Sequence, residues 1–317
     1  MSVINIIRRI ILIPINMIEN RVKKTNWYCN SIPNVDNYPG DKWYRNHLER
    51  NYDVVNLGSS SAVFCFDYRN LGVKGFNWAL KPQSMEYSFK VLKQYFSIIK
   101  DKGIVLIPFS PFSGLSVTGI WNERINDKYY YILDKTLIDN YSAVSKRRMY
   151  PFLASPKEAL KRLIKDVPCI DMYSYNIQCH TADEFEKSAE KWIKLWMKQF
   201  NITDINAPLS NENLKGRYNR INTIRNIIDF CVERNLQPVI IIPPIHSSLN
   251  KYFSKEFAEN YIYSFIRELD RPLIKTLDYL NDSFLNIDSY YRDAYFMNEK
   301  GANVFTKQVL TELMIIR

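Results

Sequence analysis

Two hydrophobic periods alternate along this chain, one of short apolar runs and one of helical stripes. Tyr52–Leu57 is a short, largely apolar run and reads as a first strand, and Val73–Asn77 reads as a weaker second one. Ser84 has the side chain of a helix cap. Behind it Leu92, Tyr95, Phe96 and Ile99 share a face, which predicts a helix to Lys100 that Asp101-Lys102-Gly103 ends. Ile104–Ile107 is apolar without interruption, as strands buried on both faces of a parallel sheet are. Helical stripes return over Glu184–Phe200 (Phe185, Ala189, Trp192, Ile193, Trp196, Phe200) and over Glu212–Arg234 (Leu214, Tyr218, Ile221, Ile224, Ile228, Cys231). Asn235 and Pro238 stop the second helix ahead of Val239–Ile242, the most strand-like run of all. A helix near Lys255–Leu269, a short strand at Phe284–Ile287 and a closing helix from Asn298 to about Leu313 complete the pattern.

Strand and helix in alternation predict an α/β protein, a three-layer α/β/α sandwich around a central, mostly parallel sheet. Residues 112–180 break the alternation with many Tyr, several Pro and no clear strand. They read as part of a helical, Tyr-rich insertion at about 112–200, carried by a single domain spanning 25–317. No internal repeat or low-complexity linker interrupts it.

Composition narrows the picture slightly. A hydrophobic fraction of 46% and a charged fraction of 24% suit a folded globular chain. Cys29, Cys65, Cys169, Cys179 and Cys231 stand at unrelated spacings, which gives no zinc pattern and no disulfide framework. Reduced thiols in a cytoplasmic protein are the expectation, and no cofactor or metal is called for. The net charge of +10 draws on Arg8, Arg9, Arg21, Lys23 and Lys24 near the start, on Lys146-Arg147-Arg148, and on Lys157, Lys161, Arg162 and Lys165. No nucleic-acid-binding module accompanies it, so nucleic acid is not an expected partner. An anionic membrane surface, an acidic glycan or simple solvation of a basic face remain open.

Residues 1–24 are apolar but broken by Arg8-Arg9, Pro14 and Asn16, and the longest clean run, Ile10–Ile15, is too short to span a bilayer. A basic amphipathic helix is expected here. It either lies on the inner face of the membrane as a peripheral attachment or packs on the body or on a partner subunit.

The candidate chemistry sits where strands end. Gly58-Ser59-Ser60-Ser61 follows the first strand, and a serine on a glycine-permitted turn can present its hydroxyl above a sheet. Far along the chain, Asp293-Ala294-Tyr295-Phe296-Met297-Asn298-Glu299-Lys300-Gly301 leads into the last helix. These two segments resemble the SGNH, or GDSL-like, hydrolase superfamily, and in particular its divergent members tied to bacterial surface polysaccharides and the D-alanyl transfer protein of teichoic-acid modification. The resemblance spans roughly residues 50–315 and implies an SGNH-like, flavodoxin-like sandwich. It places Ser60 at the nucleophile and Asp293 at the acid that orients the base. Gly58 belongs to the nucleophile turn, Gly75 matches the oxyanion glycine, and Asn77 is a side-chain donor beside it.

Two departures matter. Where the family has Gly-x-Asn-Asp, this chain has Pro108-Phe109-Ser110-Pro111, leaving Ser110 as the stand-in donor, with a strand-end serine bonded to nearby backbone as the alternative. Where the family has its histidine, this chain has Phe296, which cannot take a proton from a serine. Of three histidines, His246 follows the fourth strand and is the candidate replacement base; a loop histidine bound to backbone or solvent is the alternative. Ser60 also reads as a small residue that lets a strand turn into a helix, and Asp293 as a cap or as an ion-pair partner of Arg292 or Lys300. Two functions are therefore expected. One is an esterase or O-acyltransferase acting through Ser60 on an acylated bacterial surface glycan or other small ester. The other is a catalytically inactive relative serving as a glycan-binding or complex-forming subunit.

Overall fold

The computed structural model describes residues 14–22, 24–25, 50–80, 83–113, 129, 132–142, 151–154, 156–165, 178–205 and 208–316. They belong to two compact units, Met1–Leu48 with Trp121–Asn176 and Glu49–Ile120 with Ile177–Arg317. In chain order, residues 14–22 form helix α1. Tyr52–Asn56 is strand β1, Ser60–Cys65 helix α2, Gly75–Asn77 β2, Met85–Tyr95 α3 and Ile99–Pro108 β3. Pro151–Ala154 is α4, Pro156–Ile164 α5, Ala182–Phe200 α6 and Asn211–Val232 α7. Gln237–Ile242 is β4 and Ser247–Asn250 the short α8; Lys255–Phe257, a π turn at Ala258–Tyr263 and Ser264–Glu268 run together as α9. Thr276–Asp278 is β5 and Glu299–Glu312 is α10.

In the second unit the five strands form one sheet in the order β2-β1-β3-β4-β5, every pair parallel. Side chains alternate across it. Val54, Leu106, Val239, Ile241 and Leu277 face Ala62 and Cys65 of α2 and Phe305, Val309 and Leu310 of α10. The other face lies against α3 and α7; Phe89 of α3 and Phe96 just past its end meet Phe230 of α7 edge-on at 5.6 and 5.4 Å. This unit is thus the expected three-layer α/β/α sandwich, with helices burying both faces of a parallel sheet.

Two element boundaries differ from the sequence pattern. Helix α3 ends at Tyr95, a 3₁₀ turn covers Phe96–Ile98, and β3 already begins at Ile99. Buried Ile98 and Ile99 satisfy a helix face and a strand equally, and the pairing with β1 slips between Tyr52 and Val54, where Lys102 takes a φ of 55°. The last strand is Thr276–Asp278, not Phe284–Ile287. Its one buried residue, Leu277, lies between two exposed polar ones and carries almost no hydrophobic pattern. Backbone pairing to Ile240–Ile242 makes it a strand, whereas Phe284 sits exposed in a turn and Ile287 exposed just before the 3₁₀ turn at Asp288–Tyr290.

In the first unit, α1 covers part of the expected amino-terminal helix, and residues 1–13 lie outside the described residues. Buried Glu19 turns its carboxylate to the amides of Phe152 and Leu153, which donate at 3.2 and 3.0 Å. It thereby caps α4 and ties it to α1. Lys146-Arg147-Arg148, His47, Cys29 and Cys169 also lie outside the described residues; Cys65, Cys179 and Cys231 are free and buried. Among the described residues no helix is long and apolar enough to cross a membrane, and no cluster of metal-ligating side chains occurs.

Candidate functional site at the carboxyl ends of β1 and β3

A 2-1-3-4-5 sheet reverses its winding between β1 and β3, and such folds bind ligands in the crevice where the chain leaves those strands in opposite directions. At the β1 end Gly58 has a φ of 121°, and a Cβ there would lie 2.6 Å from that of Ala62. Only glycine makes this turn, and it delivers Ser59, Ser60 and Ser61 to the start of α2. The Ser59 hydroxyl accepts from the Gln83 amide at 3.1 Å. Ser60, the first residue of α2, is half-buried, and its hydroxyl makes no hydrogen bond among the described residues. At the β3 end the Ser110 amide donates to the Ser113 hydroxyl at 2.9 Å, and the two hydroxyls lie 3.0 Å apart.

Tyr295 joins the two strand ends. Its hydroxyl is hydrogen-bonded to those of Ser110 and Ser61, and burial pushes its pKa above the ordinary tyrosine value. A phenol held protonated in this way can donate or accept a hydrogen bond but supplies no base at neutral pH.

The rest of the 291–297 loop explains why Tyr295 stands there. Asp293 is buried, and its Oδ1 accepts from the amides of Tyr295 and Phe296, each at 2.8 Å, so the carboxylate shapes the loop as a local cap. Trp192 of α6 also hydrogen-bonds to it. Phe296, where the resemblance would place a histidine, is 3% exposed. Its ring lies 4.7 Å from that of Phe64, 5.1 Å from Trp192 and 4.8 Å from Tyr295. The Arg292 guanidinium rests 4.6 Å over Phe64, one helical turn along α2 from Ser60. Ser60, Phe64, Trp192 and Arg292, all half-buried, therefore border one place.

The remaining candidate residues have other partners. The Gly75 amide donates to Val73 O at 3.1 Å, and a Cβ at Gly75 would lie 2.2 Å from the Tyr68 ring, so this glycine admits a neighbour rather than an oxyanion. Asn77 is saturated. Its Nδ2 donates to the carbonyls of Ala62 and Phe66 at 3.0 and 3.1 Å, and its Oδ1 accepts from Asn56 Nδ2 and the Ala79 amide at 2.8 and 3.0 Å. His246 is buried, with its ring stacked 3.9 Å from Phe185. Nδ1 accepts from the Ser248 amide at 3.2 Å and lies 2.7 Å from the Ser248 hydroxyl, while Nε2 lies 3.1 Å from Asp288 Oδ1. Both ring nitrogens are engaged, and neither meets Ser60. Accepting an amide at Nδ1 leaves the proton of the neutral ring on Nε2, directed at Asp288.

No family model and no curated protein matches this chain. What the site can do rests on its own residues. In the sequence Trp192 falls in a helix stripe, Ser61 in the serine turn and Arg292 beside Asp293 as an ion-pair partner, and none of these, nor Tyr295 or Phe64, was a predicted catalytic or oxyanion residue. The available signals were that Ser61 adjoins Ser60 and that Arg292 and Tyr295 lie within two positions of Asp293 in the chain. The assembled site offers hydroxyls, an aromatic edge and a cation for binding, with no group poised to accept the Ser60 proton among the described residues.

Burial pushes the Asp293 pKa above the ordinary carboxylate value of 3.8, against the pull of the Phe296 and Tyr295 amides. A carboxyl that binds its proton more tightly folded than unfolded lowers stability as pH rises through the window just above 3.8. Asp293→Asn has no such proton. Its stability relative to the wild type therefore improves as pH is raised from about 4 towards 7, as urea denaturation across that range will read out.

Proposed function

We propose that this chain is a divergent SGNH-like protein whose crevice binds a glycan without hydrolysing it, as a binding or complex-forming subunit of bacterial surface-polysaccharide assembly. The supporting observation is Phe296, fixed between Phe64, Trp192 and Tyr295 in the place where the resemblance puts the general base. Loss of a positioned base costs about 10²–10⁴-fold in rate. The rim of Ser60, Ser61, Trp192 and Arg292 suits sugar hydroxyls, an apolar sugar face and an acidic substituent.

Acyl transfer through Ser60 is the second reading. It is favoured by the Ser60 hydroxyl, which stands at the start of α2 with no hydrogen bond among the described residues. Comparing the wild type with Ser60→Ala decides between the two readings. With chromogenic acetate esters, acetylated polysaccharide and a fluorophosphonate label, the two proteins are expected to show the same background hydrolysis and no label on Ser60. Wild-type turnover that Ser60→Ala abolishes would establish the esterase and sink the binding-only reading.

A further inference from the structure

Helix α5 buries one side and leaves the opposite side unusual. Ala159 is fully buried, and Glu158 pairs with Arg162 at 2.7 Å on the flank. On the outward face Ile164 is 88% exposed and Leu160 44%, with Lys157 and Lys161 beside them and Lys165 directly beyond. Leu153 of the adjoining α4 adds a third aliphatic side chain, 48% exposed. None of the three lysines forms an ion pair among the described residues. Among the described residues nearby acids add little opposing charge, because Glu158 is paired and Glu19 is turned inward onto the α4 amides; Asp166, which follows Lys165 in the chain, lies outside the described residues.

We propose that the outward face of α5, together with Leu153, docks on an anionic lipid surface. Aliphatic side chains that stand out from a helix between lysines with no ion pair among the described residues meet the two requirements of an interfacial helix, apolar area for the acyl boundary and positive charge for acidic headgroups. A protein partner fits less well. Protein interfaces are enriched in aromatic residues and arginine and depleted in lysine, and among the described residues this face has neither enriched type turned outward. A second copy would bring lysines against lysines.

The test is cosedimentation of the full chain with phosphatidylcholine vesicles with and without phosphatidylglycerol. The wild type is expected to bind only the anionic vesicles and to be released by salt. Lys157→Gln/Lys161→Gln should weaken binding about 30-fold, at roughly 1 kcal/mol per lysine near such a surface. Leu160→Ser/Ile164→Ser should weaken it about tenfold or more through lost apolar burial. All four positions are exposed, so both variants should melt with the wild type. Residues 1–24 are intact in every variant, so vesicle binding that survives both substitutions would assign it elsewhere and overturn the proposal. Absence of wild-type binding would overturn it too, as would equal binding to neutral vesicles. A dimer seen by light scattering that Ile164→Ser dissolves would give the face to a second copy instead.

Discussion

Phe296→His is expected to lower stability by about 3 kcal/mol and to create no esterase. The site gives an imidazole little to bond. Asp293 Oδ1 is already filled by the Tyr295 and Phe296 amides, and the same carboxylate receives Trp192. The ring contacts of Phe296 among the described residues are with Phe64, Trp192 and Tyr295. The substitution removes buried aromatic area, worth 3–5 kcal/mol for a full truncation to alanine, and adds a polar ring that costs about 1–3 kcal/mol if unpaired. Histidine refills part of the volume, so about 3 kcal/mol is the balance, and a melting point lower by about 6 °C is the readout. Acetate-ester hydrolysis assayed on the same protein completes the test. A folded Phe296→His variant that turns over acetate esters through Ser60 would mean that the rest of a catalytic site survives, and the binding-only reading would fail.

Gly301→Ala should cost about as much, for a reason confined to backbone. A Cβ at position 301 would fall 2.1 Å from the Tyr290 carbonyl oxygen, and no side chain can rotate away to admit it. The same carbonyl accepts from the Asn298 amide at 2.9 Å, while the Asn298 side chain caps Gly301 at 3.0 Å and donates to Ser289 O at 2.9 Å. Any shift of the 288–290 turn therefore strains the cap of α10, the helix that covers one face of the sheet. Overpacking of this kind costs typically 1–3 kcal/mol, and the upper end is expected where the obstacle is main chain. A loss below about 0.5 kcal/mol in urea denaturation would show that the turn yields freely.

The Asn298-x-x-Gly301 segment also shows what local chemistry makes legible in a sequence. Asparagine there is a helix cap and glycine is the residue that fits under a carbonyl, so the start of α10 can be recognised from the chain alone. Gly58-Ser59-Ser60 is legible for the same kind of reason: a positive φ of 121° excludes other residues, and a helix must follow a strand at once. Continuous apolar runs made β3 and β4 readable, while β5 was not, because one buried leucine in three residues is no pattern.

Site chemistry was less legible, because it depends on which groups consume one another's hydrogen-bonding capacity. Asn77 and Gly75 stand where oxyanion donors are expected, yet their partners, Ala62, Phe66, Asn56 and Val73, come from neighbouring turns of the fold. His246 follows the expected strand but spends its nitrogens on Ser248 and Asp288. The sequence by itself determined the alternation of strand and helix, the turn that carries Ser60 and the absence of histidine at position 296. Tertiary structure alone decided that Tyr295 joins the ends of β1 and β3 and that Phe296 closes into an aromatic cluster. Periodicity and turn chemistry are properties of neighbours in the chain. A proton acceptor for Ser60 is a matter of a few ångströms between residues more than two hundred positions apart, and only packing sets that distance.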